Sequence, residues 1–128
     1  MLSAIWARLL LVALGGALGS SGRYLTSLAA NRLFGPAFPT GTLIVNLAGC
    51  LLIGVVFAFS EKAIISPSVR LFLMTGFLGG LTTFSSYAFE TVTLFADGSR
   101  AFSLTNIALN NVLGLGLALL GVGLGRAI

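Results

Sequence analysis

The sequence predicts an all-α integral membrane protein with four transmembrane helices. Three observations carry that prediction: a shortage of charge, four long uncharged runs, and turn residues between the runs. Of the 128 residues, 57% are hydrophobic and 8% are charged. A soluble domain of this length carries about a quarter charged residues, because most of its surface must face water. With seven basic and three acidic residues, the chain cannot cover itself with polar groups. It belongs in lipid.

A helix that crosses the bilayer core needs about 20 mostly apolar residues at 1.5 Å rise each. The uncharged runs are Leu9 to Gly22, Leu33 to Ser60, Leu71 to Phe89 and Ala101 to Gly125. The first is short and must continue past Arg23 to about Ala30. The second opens with a proline-containing loop, so its helix starts near Thr40. The predicted spans are therefore 5–30, 40–60, 69–94 and 101–125, within one membrane domain covering 1–128. Gly35-Pro36 with Pro39, Ser66-Pro67 and Asp97-Gly98 supply the turns between them, and all three prolines fall in connections. Arg8 with Leu9 to Leu14 and Ala17-Leu18-Gly19 also has signal-peptide proportions. Cleavage there would leave three spans and remove the helix context of Arg23, so the four-span reading is preferred.

The seven basic residues, Arg8, Arg23, Arg32, Lys62, Arg70, Arg100 and Arg126, are dispersed and nearly all flank apolar runs. Nucleic acid would demand a basic patch or stripe, so it is excluded as a partner. Spaced in this way, the charges are interfacial anchors and topology signals. Arg8, Lys62, Arg70 and Arg126 share one side of the membrane, and Arg23, Arg32 and Arg100 the other. Four against three is almost no orientation bias. It allows insertion both ways with antiparallel pairing of two copies, or a single orientation fixed by other factors. Histidine is absent and Cys50 is the sole cysteine, which rules out an intrachain disulfide and makes a zinc site implausible.

Gly15 and Gly19, Gly76 and Gly80, and Gly121 and Gly125 have the four-residue spacing that lets helix backbones approach closely. A 13.2 kDa bundle has little room for a conduit inside one copy, so an oligomer is expected.

Polar groups inside spans are costly, and their positions point to function. Asn46 falls near the middle of the second helix, with Thr42 one turn earlier on the same face. Its amide offers two donors and one acceptor without net charge, suited either to a helix–helix hydrogen bond or to an anion. The stretch from Gly76 to Tyr87 crowds paired glycines, threonines and serines into mid-span. Glycine is unfavourable in helix interiors, so the third helix is expected to break here and free backbone groups for ion binding. Freed carbonyls suit a hard cation such as Na⁺. On the fourth helix, Asn106 and Asn110 share a face, while Asn111 points elsewhere. They either line a path or join helices. Arg23, at the edge of a span, either snorkels to the interface or helps an aqueous vestibule gather anions.

The first acidic residue is Glu61, and Glu90 lies at the end of the third span. Proton-coupled exporters use a buried carboxylate, and none is evident. A conduit here would be lined by neutral amides, hydroxyls and aromatic edges. Ring edges are electropositive, which allows Phe84 to face an anion, and conduction needs binding weak enough for release. These points favour a passive anion pathway and leave the ion unnamed.

The segments Gly41-Thr42-Leu43 with Val45-Asn46, then Thr75 through Ser85 (TGFLGGLTTFS), then Glu90-Thr91, together with Gly15 through Arg23, resemble the fluoride channel family known as Fluc or CrcB. The likeness runs through all four spans. It implies an antiparallel, dual-topology homodimer in the bacterial inner (plasma) membrane, with two fluoride pathways and passive export of fluoride from the cytoplasm. It also implies a structural, untransported Na⁺ at the dimer centre, held by the backbone carbonyls of Gly79 and Thr82. By the same resemblance Asn46 and Phe84 face the pore, with Thr42, Ser85, Asn106 and Asn110 also along it, and Arg23 stands near the vestibule. Tyr87 occupies a position that is often phenylalanine in the family, which leaves the role of its hydroxyl open. Asn106 and Asn110 stand where relatives can have tyrosine and serine.

The alternative is a small four-helix multidrug exporter, similar in length, but that class needs a carboxylate in the first helix, where this chain has none. A non-transporting subunit is a third reading. An enzyme is the least favoured, because no nucleophile–base pair or metal cluster is present.

Overall fold

A computed structural model describes residues 2–128, and among them all regular structure is helical. Helix α1 spans Leu2–Phe34 and α2 spans Thr40–Glu61. Helix α3 covers residues 67–81, of which Leu71–Leu78 is wound as π-helix. Helix α4 is Phe84–Ala96. Helix α5 covers Arg100–Ala127, with a π-helical turn at Leu109–Leu113. Three helices are long and apolar enough to cross a membrane: Ala4–Phe34, Thr40–Glu61 and Arg100–Ala127. The chain is a membrane protein.

The connections follow their turn residues. Gly35 and Gly98 both have positive φ, 76° and 83°, at the turns after α1 and α4, a conformation that glycine enters without a Cβ clash. Pro67 departs from expectation, since it lies inside a helix and not in the connection. It occupies the first turn of α3 behind the cap of Ser66, whose hydroxyl accepts from the Val69 N–H at 3.3 Å. Proline is tolerated there because that N–H has no helical acceptor in any case.

Close glycine contacts set the packing. Helices α1 and α3 meet where a methyl group on Gly15 would lie 2.7 Å from the Phe72 carbonyl oxygen, and one on Gly80 would lie 2.6 Å from that of Gly16. Helices α2 and α5 meet at Gly54 and Gly121, and a methyl on Gly121 would collide with the Leu51 carbonyl. Farther along, one on Gly125 would lie 2.7 Å from the Ala58 Cβ. Backbones this close gain dispersion contacts that larger residues would prevent, which is how helices associate in a solvent as apolar as they are. The predicted glycine pairs thus acquire partners: the first pair meets the second, and the third meets α2.

Contacts between α2 and α5 advance in step, from Asn46–Asn110 to Lys62–Arg126, so these helices run parallel. At their shared end Lys62 Nζ donates to the Arg126 carbonyl at 2.6 Å, and Arg126 pairs with Glu61 at 3.0 Å. Helix α4 runs antiparallel to α5, joined by Ser103 Oγ donating to the Thr91 carbonyl at 2.9 Å. Large apolar side chains such as Leu10, Leu25, Val112 and Leu119 face outward, as lipid requires.

Candidate functional site

The polar residues of the interior gather where α3 stops. Leu81 is its last helical residue, and Thr82 and Thr83 are extended, with ψ of 156° and 118°. Helix α4 then begins at Phe84, capped by the Thr83 hydroxyl, which accepts from the Ser86 N–H at 3.2 Å. In a continuous helix the Thr83 N–H would bond to the Gly79 carbonyl, and the Ser86 N–H to the Thr82 carbonyl. Both donors are diverted. The Ser86 N–H goes to its cap, and the Thr83 N–H goes to Asn46 Oδ1 at 2.8 Å. The carbonyls of Gly79 and Thr82 are thereby released from their helical partners.

Asn46 reaches this segment from α2. Besides accepting from the Thr83 N–H, its Nδ2 donates to the Thr83 carbonyl at 3.2 Å and to Asn110 Oδ1 at 2.9 Å. One side chain so pairs both backbone groups of an extended residue, groups that in a low-dielectric interior must find a partner somewhere. The amide chain continues. Asn110 Nδ2 donates to Asn106 Oδ1 at 2.9 Å, and Asn106 Nδ2 to Thr91 Oγ1 at 2.9 Å. Asn106 is fully buried, at 0% exposure. These asparagines of α2 and α5 join helices, and two of them, Asn46 and Asn110, also border a cavity.

That cavity has a volume of about 290 Å³. Of the residues singled out in the sequence, Asn46, Gly79, Thr82, Phe84, Tyr87 and Asn110 line it. The rings of Phe84 and Tyr87 stand edge to face, 5.4 Å between centroids. Phe84 is 77% exposed, its ring turned away from this copy's own core. Ser85, Thr42, Asn106 and Arg23 are not among the lining residues. Ser85 Oγ lies 3.3 Å from Thr83 Oγ1, and Arg23 is half-buried on α1.

Two residues bear on the site in ways the sequence did not disclose. Asn111, expected to point elsewhere, lines the cavity, and its Nδ2 donates to Tyr87 Oη at 2.8 Å. The π-helical turn at Leu109–Leu113 explains the difference. A π turn closes on the fifth residue instead of the fourth, so residues within it leave the 3.6-residue register from which that expectation was drawn. The second is Glu90, which lies midway along α4 and not at the end of a span. Its Oε1 accepts from Thr42 Oγ1 at 2.6 Å, and its buried Oε2 has no partner among the described residues. A carboxylate therefore does reach the interior. The bond between threonines and asparagines at the centre carried no periodic signal, because an extended pair inside a hydrophobic run looks like helix by composition.

All-helical architecture among the described residues, three membrane-length helices and a mainly apolar cavity carrying a few amide and hydroxyl groups at an interrupted segment define a polytopic membrane protein. Residues 10–122 match the family described as CrcB-like protein, Camphor Resistance (CrcB). Among curated relatives, the "Fluoride-specific ion channel FluC" of Clostridium perfringens (strain 13 / Type A) is 48% identical over 120 residues, covering 93% of this chain and 91% of its own. The protein of the same name from Anaeromyxobacter sp. (strain K) is 54% identical over 96 residues, covering 74% and 76%. That of Aquifex aeolicus (strain VF5) is 45% identical over 118 residues, covering 91% and 95%. The chain belongs to the CrcB family.

Proposed function

We propose that this protein is a fluoride-selective ion channel that lets fluoride leave the cytoplasm passively and so confers fluoride resistance. The observation that carries the reading is a mainly apolar cavity beside an interrupted helix, into which a few neutral amides, hydroxyls and two aromatic rings converge, in a chain whose relatives are named fluoride-specific channels. Amide N–H groups and ring edges stabilise an anion without a fixed positive charge that would trap it. The N-terminus of α4 adds N–H groups that lack intrahelical acceptors and a dipole whose positive end favours an anion. In this role Asn46, Thr42, Phe84, Tyr87, Ser85, Asn106 and Asn110 line or border the path, and Arg23 stands at the vestibule.

The working unit in this reading is an antiparallel homodimer of one-domain protomers in the bacterial inner membrane, with a pore on each side of the interface. Residues 67–96 form the third crossing as a broken helix, α3 and α4 in series. The near balance of basic residues between the two sides supports dual topology, and the outward ring of Phe84 is placed to complete the pathway against the second copy. A structural Na⁺ fits the carbonyls of Gly79 and Thr82, because both have lost their helical donors and hard cations favour neutral oxygen. Among the described residues no cluster of histidine, cysteine, aspartate and glutamate can hold a metal, so a cation here depends on backbone oxygen. Bound there, the ion joins the two copies by charge without taking part in conduction.

The test is fluoride release from liposomes that contain the purified protein and potassium fluoride. Release within seconds of adding the potassium carrier valinomycin, and little before it, marks a passive electrogenic channel. A requirement for a proton gradient contradicts the proposal and returns attention to an exporter.

A further inference from the structure

We propose that Asn111 is a positioning residue that turns the Tyr87 hydroxyl so that its proton faces the ion cavity, adding a donor aimed at the passing anion. The inference rests on the channel reading above and extends it to a hydrogen-bonded residue pair that this reading did not use. Three observations carry it. Asn111 Nδ2 donates to Tyr87 Oη at 2.8 Å, and the same amide also donates to the Ile107 carbonyl at 2.8 Å, which fixes its orientation. Tyr87 Oη therefore acts as acceptor toward Asn111, and among the described residues no acceptor takes its own proton. Both side chains line the cavity with Asn46, Phe84 and Asn110.

The chemistry follows from these contacts. A phenol is both donor and acceptor. Once an amide N–H occupies its oxygen, the O–H bond must point away from that amide. Tyr87 is 9% exposed and its ring is packed edge to face against Phe84, so the hydroxyl has little freedom beyond rotation of its hydrogen. Removing rotational freedom from a donor lowers the ordering cost that an arriving ion must meet. Hydrogen bonds from O–H to an anion are short and roughly twice as strong as neutral ones. They favour the smallest halide, whose charge is the most concentrated. Asn111 thus acts through Tyr87 and does not itself contact the ion.

The experiment compares the wild-type protein with Tyr87→Phe, Asn111→Leu and the double variant, each purified and reconstituted in liposomes. Initial fluoride and chloride efflux rates are read for each. Tyr87→Phe keeps the ring and removes only the hydroxyl, so it reports even if Asn111→Leu folds poorly. Each single change is expected to lower fluoride efflux about tenfold, the worth of one charge-assisted hydrogen bond. Each is also expected to lower the fluoride-to-chloride ratio, and the double variant should match the singles. Wild-type fluoride rates in either single variant overturn the inference, as does a multiplicative loss in the double. An inert wild type overturns the channel reading itself, and this inference with it. An active wild type with independent effects overturns only the inference.

Discussion

Asn46 and Thr83 are joined by two hydrogen bonds that make a side chain behave as a strand neighbour: Oδ1 accepts from the Thr83 N–H at 2.8 Å, and Nδ2 donates to the Thr83 carbonyl at 3.2 Å. The pairing ties α2 to the point where α3 gives way to α4. It also holds the Thr83 N–H away from the Gly79 carbonyl. The same residue therefore stabilises the interruption and borders the cavity that the interruption creates.

Asn46→Asp should remove fluoride flux almost entirely. A carboxylate can still accept from the Thr83 N–H, but it cannot donate to the Thr83 carbonyl or to Asn110 Oδ1, and it sets negative charge beside an anion path. A loss on the order of a hundredfold is expected for two lost donors and a repulsive charge. Efflux assays on variant protein that elutes at the same volume as the parent would check this, and undiminished flux would remove Asn46 from the pathway.

Phe84→Ile should lower fluoride flux at least about tenfold, because an aliphatic side chain of comparable bulk has no electropositive edge to offer. The ring is outward-facing in a single copy, so folding of the protomer should be little affected. Equal efflux from the variant and the parent would place the path elsewhere.

Gly121→Ala should lower thermal stability by an amount equivalent to about 1–3 kcal/mol, as overpacking at a close contact does. The added methyl would meet the Leu51 carbonyl, part of a backbone that cannot move aside cheaply. Gly116→Ala is the control, since nothing lies within 4 Å of the added carbon. It should be neutral or stabilise by about 0.5–1 kcal/mol through helix propensity. Melting curves in detergent compare the two, and equal shifts would contradict the packing described here.

Much of the architecture was legible because the signals were local. Uncharged runs marked α1, α2 and α5, whereas the third run is divided between α3 and α4, and Gly35 and Gly98 marked turns that need positive φ. The glycine pairs announced close packing, although only the three-dimensional arrangement matches Gly15 with Gly76 and Gly121 with Gly54. Asn46, Phe84, Tyr87 and Asn110 were singled out as polar or aromatic exceptions in apolar runs, and they do line one cavity. Asn111 was missed because a 3.6-residue period turns it off the face of Asn106, and no residue in Leu109–Leu113 advertises a π turn. Glu90 was placed at a helix end because the charge-free run stops at Phe89. In the structure the carboxylate is carried inward, where Thr42 receives it.

Replacing sodium by a large organic cation during purification should lower the melting temperature of the protein by several degrees, the shift expected when a bound ion is withdrawn from the folded state. The motivation is the pair of carbonyls, Gly79 and Thr82, whose helical donors are diverted to Asn46 and to the Thr83 hydroxyl. Restoring sodium should restore stability, with lithium or potassium less effective. Identical melting in every cation would argue against a structural ion.

The most direct measurement is anion efflux from liposomes containing only this protein, followed with a fluoride electrode and a chloride electrode in parallel. Rapid loss of fluoride with negligible loss of chloride is the predicted result. Comparable loss of both ions, or retention of fluoride by correctly assembled protein, would contradict the account.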